Sequence, residues 1–168
     1  MTASTRGFTF KPATINDVHE LTSQMLDRGL LDFERVGQHP VLSLAMYIHE
    51  DDSYLIYGPD GSLYGAYGVS EDNAVWIQMT KQVKKNPRTT VRFGKALMEH
   101  INRPYLWTTI DIKNTDLINL ARYLGFKVLR VFPDGPDNVY SIEIVRLWLH
   151  KMPEQLLDKE DCSLTLSA

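Results

Sequence analysis

Apolar and polar residues alternate along Phe8 to Lys11, which predicts a short strand. Pro12 to Asp17 then opens a helix. Thr14 and Asp17 stand at capping-box spacing, and Val18, Leu21 and Met25 recur at helical intervals. Gly29 and Gly37 punctuate the next stretch, so the second helix is expected from about Pro40 to Glu50. Val41, Leu44, Ala45 and Ile48 would share one of its faces. Tyr54–Tyr57 and Leu63–Val69 read as strands around a turn at Gly58-Pro-Asp-Gly61, where Asp-Gly accepts positive φ at little cost. Ala74–Met79 is a third apolar run of strand length. A polar connection containing Pro87 follows, and Thr89-Thr90 is the predicted cap of a helix carrying Phe93, Leu97 and Ile101. Leu106, Thr108, Ile110 and Ile112 alternate on a further strand. Asn114 to Leu124 is helical, with Gly125 at the C-cap. Strands at Lys127–Phe132 and Val139–Ile144 close the series around a turn at Pro133-Asp-Gly-Pro.

The predicted order is β-α-α-β-β-β-α-β-α-β-β, an α/β arrangement of mixed sheet and hairpins. Its length suits a single domain, placed at residues 1–152. The polar, acidic composition after Met152-Pro153 predicts a mobile tail over 153–168. With 43% apolar and 23% charged residues, the chain has the makeup of a globular protein rather than a disordered one. One cysteine, Cys162, excludes an internal disulfide framework and a multi-cysteine zinc site. No H-x-x-x-H pairing occurs among the five histidines, so no metal is expected. No run approaches ~18 apolar residues, which argues against a membrane span. An intracellular, cytoplasmic setting is the resulting expectation.

Charge changes the picture in one place. Lys81, Lys84, Lys85, Arg88, Arg92 and Lys95 bring six cations and no acid into a chain whose net charge is -3. This cluster suits an anion. Nucleic acid is not expected, because no aromatic residues interleave with the cations and the whole chain is acidic.

Two motifs point to a family. Asn114-Thr-Asp-Leu-Ile-Asn-Leu-Ala121-Arg-Tyr-Leu-Gly125-Phe126 resembles the closing motif N-x-x-A-x-x-L-Y-x-K-L-G-F of the GCN5-related N-acetyltransferase (GNAT) superfamily. Thr89 to Leu97 resembles, in part, that family's phosphate signature (Q/R)-x-x-G-x-(G/A). Gly94 and Leu97 match it, while Thr89 and Arg92 stand where Gln or Arg and the first glycine belong. The element order agrees over roughly residues 8 to 144. The resemblance implies a mostly antiparallel central sheet flanked by helices, with a fourth strand (Ala74–Met79) splayed from the fifth. It also implies acetyl-CoA or coenzyme A in the gap. The cofactor would meet Met79, Thr80, Arg88, Asn114 and the helix start Val91, Arg92, Phe93, Gly94 and Lys95.

The catalytic part of the pattern is incomplete. Many active members carry a tyrosine that protonates the leaving thiolate where this chain has Ala121. Tyr123 and Tyr140 are the substitute acids to consider, and Gln78 lies on the strand that often bears the base, where it can orient but not take a proton. Glu71 and Asp72, just before that strand, are the nearest carboxylates. Overall similarity further resembles the small GNAT-like proteins of T7-like and phiKMV-like bacteriophages. This implies an N-acetyltransferase in the infected bacterial cytoplasm, acting on an amine of a host protein or metabolite. The alternative is a catalytically degenerate GNAT-fold protein that binds a host or virion protein; a homodimer through hairpin edges fits either.

Overall fold

The computed structural model describes residues 2–85, 87–135 and 139–147. The expected tail at 153–168, with Cys162, lies outside them, as do part of the turn after Pro133 and the residues 148–152 that the domain boundary includes. Five strands form one antiparallel sheet in the order β1 (Ala3–Thr5), β2 (Phe8–Pro12), β3 (Asp52–Tyr57), β4 (Leu63–Val69), β5 (Val75–Met79). Three more, β6 (Tyr105–Asp111), β7 (Lys127–Pro133) and β8 (Tyr140–Leu147), form a second antiparallel sheet in the order β6-β8-β7. The helices are α1 (Val18–Gln24), α2 (Asp27–Arg35), α3 (Pro40–Glu50), α4 (Pro87–Ile101) and α5 (Thr115–Tyr123). The expected α/β class with a mostly antiparallel sheet and flanking helices is present.

Three expectations need correction. A strand, β1, precedes Phe8 and turns into it through Arg6 (φ 52) and Gly7 (φ 83), the two positive-φ positions of a tight hairpin. Helix α2 occupies the stretch that Gly29 appeared to interrupt. A Cβ at Gly29 would lie 2.8 Å from Gln78 Oε1, so this glycine serves a close helix–sheet approach and does not end the helix. Helix α4 starts at Pro87 and is not capped at Thr89-Thr90. Proline suits the first helical position, where its missing N–H and fixed φ cost nothing.

Elsewhere the local chemistry behaves as the sequence predicts. The Thr14 N–H and hydroxyl both donate to Asp17 Oδ2 (2.7 and 2.8 Å) at the 3₁₀ turn Ile15–Asp17 that leads into α1. Gly61 has φ +78, and its N–H donates to the Gly58 carbonyl in the β3–β4 turn.

Each face of the five-stranded sheet carries a core, and the smaller sheet shares one of them. Phe8, Phe10, Tyr67, Phe93, Leu97, Leu106, Ile110, Ile142 and Ile144 are buried with α4 and α5 on one face. Val18, Leu21, Met25, Phe33, Leu44 and Ile48 are buried on the other with α1, α2 and α3. At roughly 2 kcal/mol for each fully buried large side chain, these layers hold the sheets on which any site must stand.

Candidate functional site

The two sheets meet at β5 and β6. Their one bridge is parallel, Ala74 to Trp107, with the Trp107 N–H donating to the Asn73 carbonyl at 3.1 Å. Trp107 Nε1 and the Tyr105 hydroxyl both donate to the Asp72 carbonyl (3.1 and 3.4 Å), which pins this narrow end. Beyond the bridge β5 stays with β4 and β6 with β8, so the strands splay and a gap opens toward Met79 and Asp111.

Backbone alternation decides what faces the gap. Ala74 and Thr80 exchange hydrogen bonds with β4 through Ser70 and Tyr64, so the peptide groups of Trp76 and Gln78 also point to β4. Those of Ile77 and Met79 therefore turn to the gap. The Met79 carbonyl accepts from the Leu26 N–H at 3.0 Å, where the α1–α2 junction crosses the edge.

The phosphate signature sits differently from its expected place. Because α4 begins at Pro87, the amides from Val91 to Lys95 belong to the helix interior, where each bonds back to a carbonyl four residues earlier. A Cβ at Gly94 would lie 2.9 Å from Leu124 Cδ1, so this glycine lets α4 approach α5. Arg92 Nη2 donates to the Arg6 carbonyl at 2.7 Å, which ties α4 to the β1–β2 hairpin. Phe93 is buried between the sheet and α4, 5.9 Å from Phe8. Thr80 is fully buried, its hydroxyl donating to the Leu63 carbonyl at 2.6 Å. Lys95 lies over the Tyr123 ring at 5.4 Å. All six cations from Lys81 to Lys95 are exposed, and Lys81 pairs with Asp27 at 3.3 Å.

The proposed acids do not gather around Gln78. Ile77 and Met79 pack on the α4 core, so Gln78 points to the opposite face, against Gly29. Tyr123 is 59% exposed on α5. Tyr140 shares the parity of the buried Ile142 and so faces the α4–α5 side as well. Ala121 is buried in that core. Asp72, its carboxyl held below the usual range by the Ser70 hydroxyl and the Ala74 N–H, lies at the narrow end, in the turn before β5 and so at the far end of that strand from Met79. Glu71 is exposed in the same turn.

The structure also assembles a cluster that the sequence did not single out. Arg28, Asp32 and Arg35, at i, i+4 and i+7 along α2, reach across the open end to Asp111 on β6 and Asn114 at the head of α5. Asn114 does two things at once. Its Oδ1 accepts from the Leu117 N–H as a helix cap, and its Nδ2 donates to Asp32 Oδ2 at 3.0 Å. Burial raises the Asp32 pKa, partly opposed by Arg28 and by the Asn114 amide. The helical spacing of the α2 residues was the available signal, obscured by Gly29. Among the described residues no group of His, Cys, Asp and Glu could hold a metal ion, and no helix is long and apolar enough to cross a membrane.

No protein-family model and no curated protein sequence matches the chain. Solved structures do. A GNAT-family acetyltransferase from Bacillus anthracis has 10% identity and a TM-score of 0.63, over 88% of this chain and 98% of that one. A spermidine N-acetyltransferase from Vibrio cholerae, in complex with CoA and spermine, has 10% identity and a TM-score of 0.61, over 85% and 96%. An acetyl transferase from Salmonella typhimurium that modifies the N-terminal serine of a 50S ribosomal subunit protein has 12% identity and a TM-score of 0.58, over 84% and 95%. The fold, a five-stranded antiparallel sheet flanked by helices within a mixed α/β arrangement, matches that of these GNAT-fold acetyltransferases.

Proposed function

We propose that the chain is an acetyl-CoA-dependent N-acetyltransferase that holds the pantetheine arm in the β5–β6 gap. The observation that carries this reading is the splay itself: two adjacent strands bridged only at Ala74–Trp107, with the Ile77 peptide groups and the Met79 N–H turned to the open space and the Met79 carbonyl taken by Leu26. An extended amide-bearing arm fits there as an added strand would, through backbone hydrogen bonds.

The phosphate end fits less directly. The signature amides lie inside α4, so the anion would be held by exposed side chains before and at the helix start, Lys84, Lys85 and Arg88, rather than by an open amide cradle. The cofactor would supply an activated acyl thioester. In the transfer the amine nitrogen bonds the acyl carbon, the C–S bond breaks, and the nitrogen gives up a proton as the thiolate gains one. Gln78, on the α2 side of β5, would orient the acceptor, and Ala121 brings no proton. Proximity and orientation then carry much of the rate. The acceptor proposed is an amine of a host bacterial protein or metabolite, in the setting that the phage resemblance implies.

The test is calorimetry of the full chain with acetyl-CoA, paired with residue-resolved hydrogen exchange. The expected result is saturable heat together with new protection at Ile77 and Met79, whereas Trp76 and Gln78, already bonded to β4, change little. No heat and no alternation would remove the reading. A second reading, a GNAT-fold binder without turnover, is favoured by the commitments of Arg92 to Arg6 and Gly94 to Leu124 and by Ala121. It predicts capture of a partner protein with no acetyl transfer to any amine.

A further inference from the structure

Two contacts hold the sheets at the ends of the gap, and they differ in kind. At the narrow end the link is backbone, Asn73 to Trp107. At the open end it is the polar stripe of α2. Arg35 Nη1 stands 2.5 Å from Asp111 Oδ2, Arg28 Nη2 3.7 Å from Asp111 Oδ1, and Asp32 accepts from Asn114. The other side of α2 is fixed to the first sheet. Phe33 is buried against α3, and the Leu26 N–H bonds Met79. The stripe is thus an arm from the β1–β5 side that grips the β6 side.

Its grip is made of side-chain ion pairs, with one hydrogen bond from Asn114 to Asp32. The Asp111 side chain is 8% exposed, and the arginines meet the two carboxylates closely, Arg35 at 2.5 Å from Asp111 Oδ2 and Arg28 at 3.0 Å from Asp32 Oδ1. Contacts this short are lost once the groups part by a few ångströms, and a buried carboxylate that loses its arginine is poorly tolerated, so the closed spacing is the favoured one.

We infer that the Arg28–Asp32–Arg35 stripe is a clasp that sets the width of the β5–β6 gap at its open end. A ligand seats in the gap by loosening the stripe from Asp111 and Asn114. The second statement rests on the gap being the binding site proposed above; the first does not.

The experiment separates them. Hydrogen exchange is measured without ligand on the full chain, on Arg35→Ala, on Asp32→Asn and on Arg35→Lys. In the first two variants, amides from Ile110 to Asn114 and the first turn of α5 should exchange about tenfold faster, with β3 and β4 unchanged. Arg35→Lys, which keeps the charge but not the fork, should fall between wild type and Arg35→Ala. Unaltered rates at β6 and α5, or equal acceleration across the whole chain, overturn the clasp. Acetyl-CoA is then the probe for the ligand step: its association should be faster with Arg35→Ala than with wild type. Equal association rates overturn ligand-driven loosening. Absence of acetyl-CoA binding in every protein overturns the cofactor reading and that step, while the ligand-free exchange still decides the clasp.

Discussion

Strands β4 and β7 have seven residues each, and their surroundings differ completely. All seven positions of β4 are buried, and none of β7 is. β4 lies between β3 and β5 with a core on each face. Its interior glycines, Gly65 and Gly68, admit a neighbouring carbonyl and the Trp76 indole. β7 is the outer strand of the smaller sheet, with Leu129 and Val131 about half exposed. The difference shows how the fold divides its work. One sheet is fixed on both faces, the other on one, and the gap lies where the rigid part meets the looser one. A site at such a seam can open at modest cost because the seam has few backbone links.

The comparison can be broken most forcefully in the core that β4 helps build. Phe93→Ala removes a ring buried against Phe8 and should cost about 4 kcal/mol in urea unfolding. Gly65→Ala comes next. Its Cβ would lie 2.3 Å from the Gln78 carbonyl oxygen, a backbone atom that cannot rotate away, so about 3 kcal/mol is expected in the same measurement. Gly94→Ala meets only the flexible end of Leu124 and should cost about 1 kcal/mol. A cost as large as that of Gly65→Ala would show the α4–α5 contact to be as rigid as the central sheet.

A smaller effect follows from pH. His100 Nδ1 and the Tyr67 hydroxyl share a hydrogen bond at 2.5 Å, and the ring stacks on Phe10 at 4.1 Å. Burial lowers its pKa, against a weaker opposing pull from Asp52. The unfolded chain takes up this proton near pH ~6.5 and the folded chain only at lower pH. Its contribution is therefore complete above that value and declines as pH falls below it. Melting temperatures measured from about pH 7.5 down to about pH 5.5 should drop, and less so in a His100→Gln variant. Smallest of all, Leu129→Ser on the β7 edge should change stability by less than about 0.5 kcal/mol. A larger loss would mean that this edge is covered in solution.

Local chemistry was legible in the sequence because it depends on neighbours along the chain. Asn114 caps α5, Gly125 takes φ +93 at its end, and the Phe126 N–H returns to the Ala121 carbonyl at 3.0 Å, as the motif requires. The strand periods and the Gly58–Gly61 turn were equally readable. Reading Gly29 as a break hid α2, because the reason for that glycine is the Gln78 side chain, distant in sequence and adjacent in space. The same error hid the polar stripe.

What the chain alone determined is most of the element order, the caps at Thr14 and Asn114, the Gly58–Gly61 turn, and the kinship of its fold, since periodicity and cap residues act over a few positions. Only the tertiary structure decided that Gly29 lies inside a helix against Gln78, that Gly94 serves α5, and that Arg35 finds Asp111. Those outcomes depend on which surfaces meet. A glycine or an arginine carries no mark of its eventual neighbour until packing has brought the two within a few ångströms.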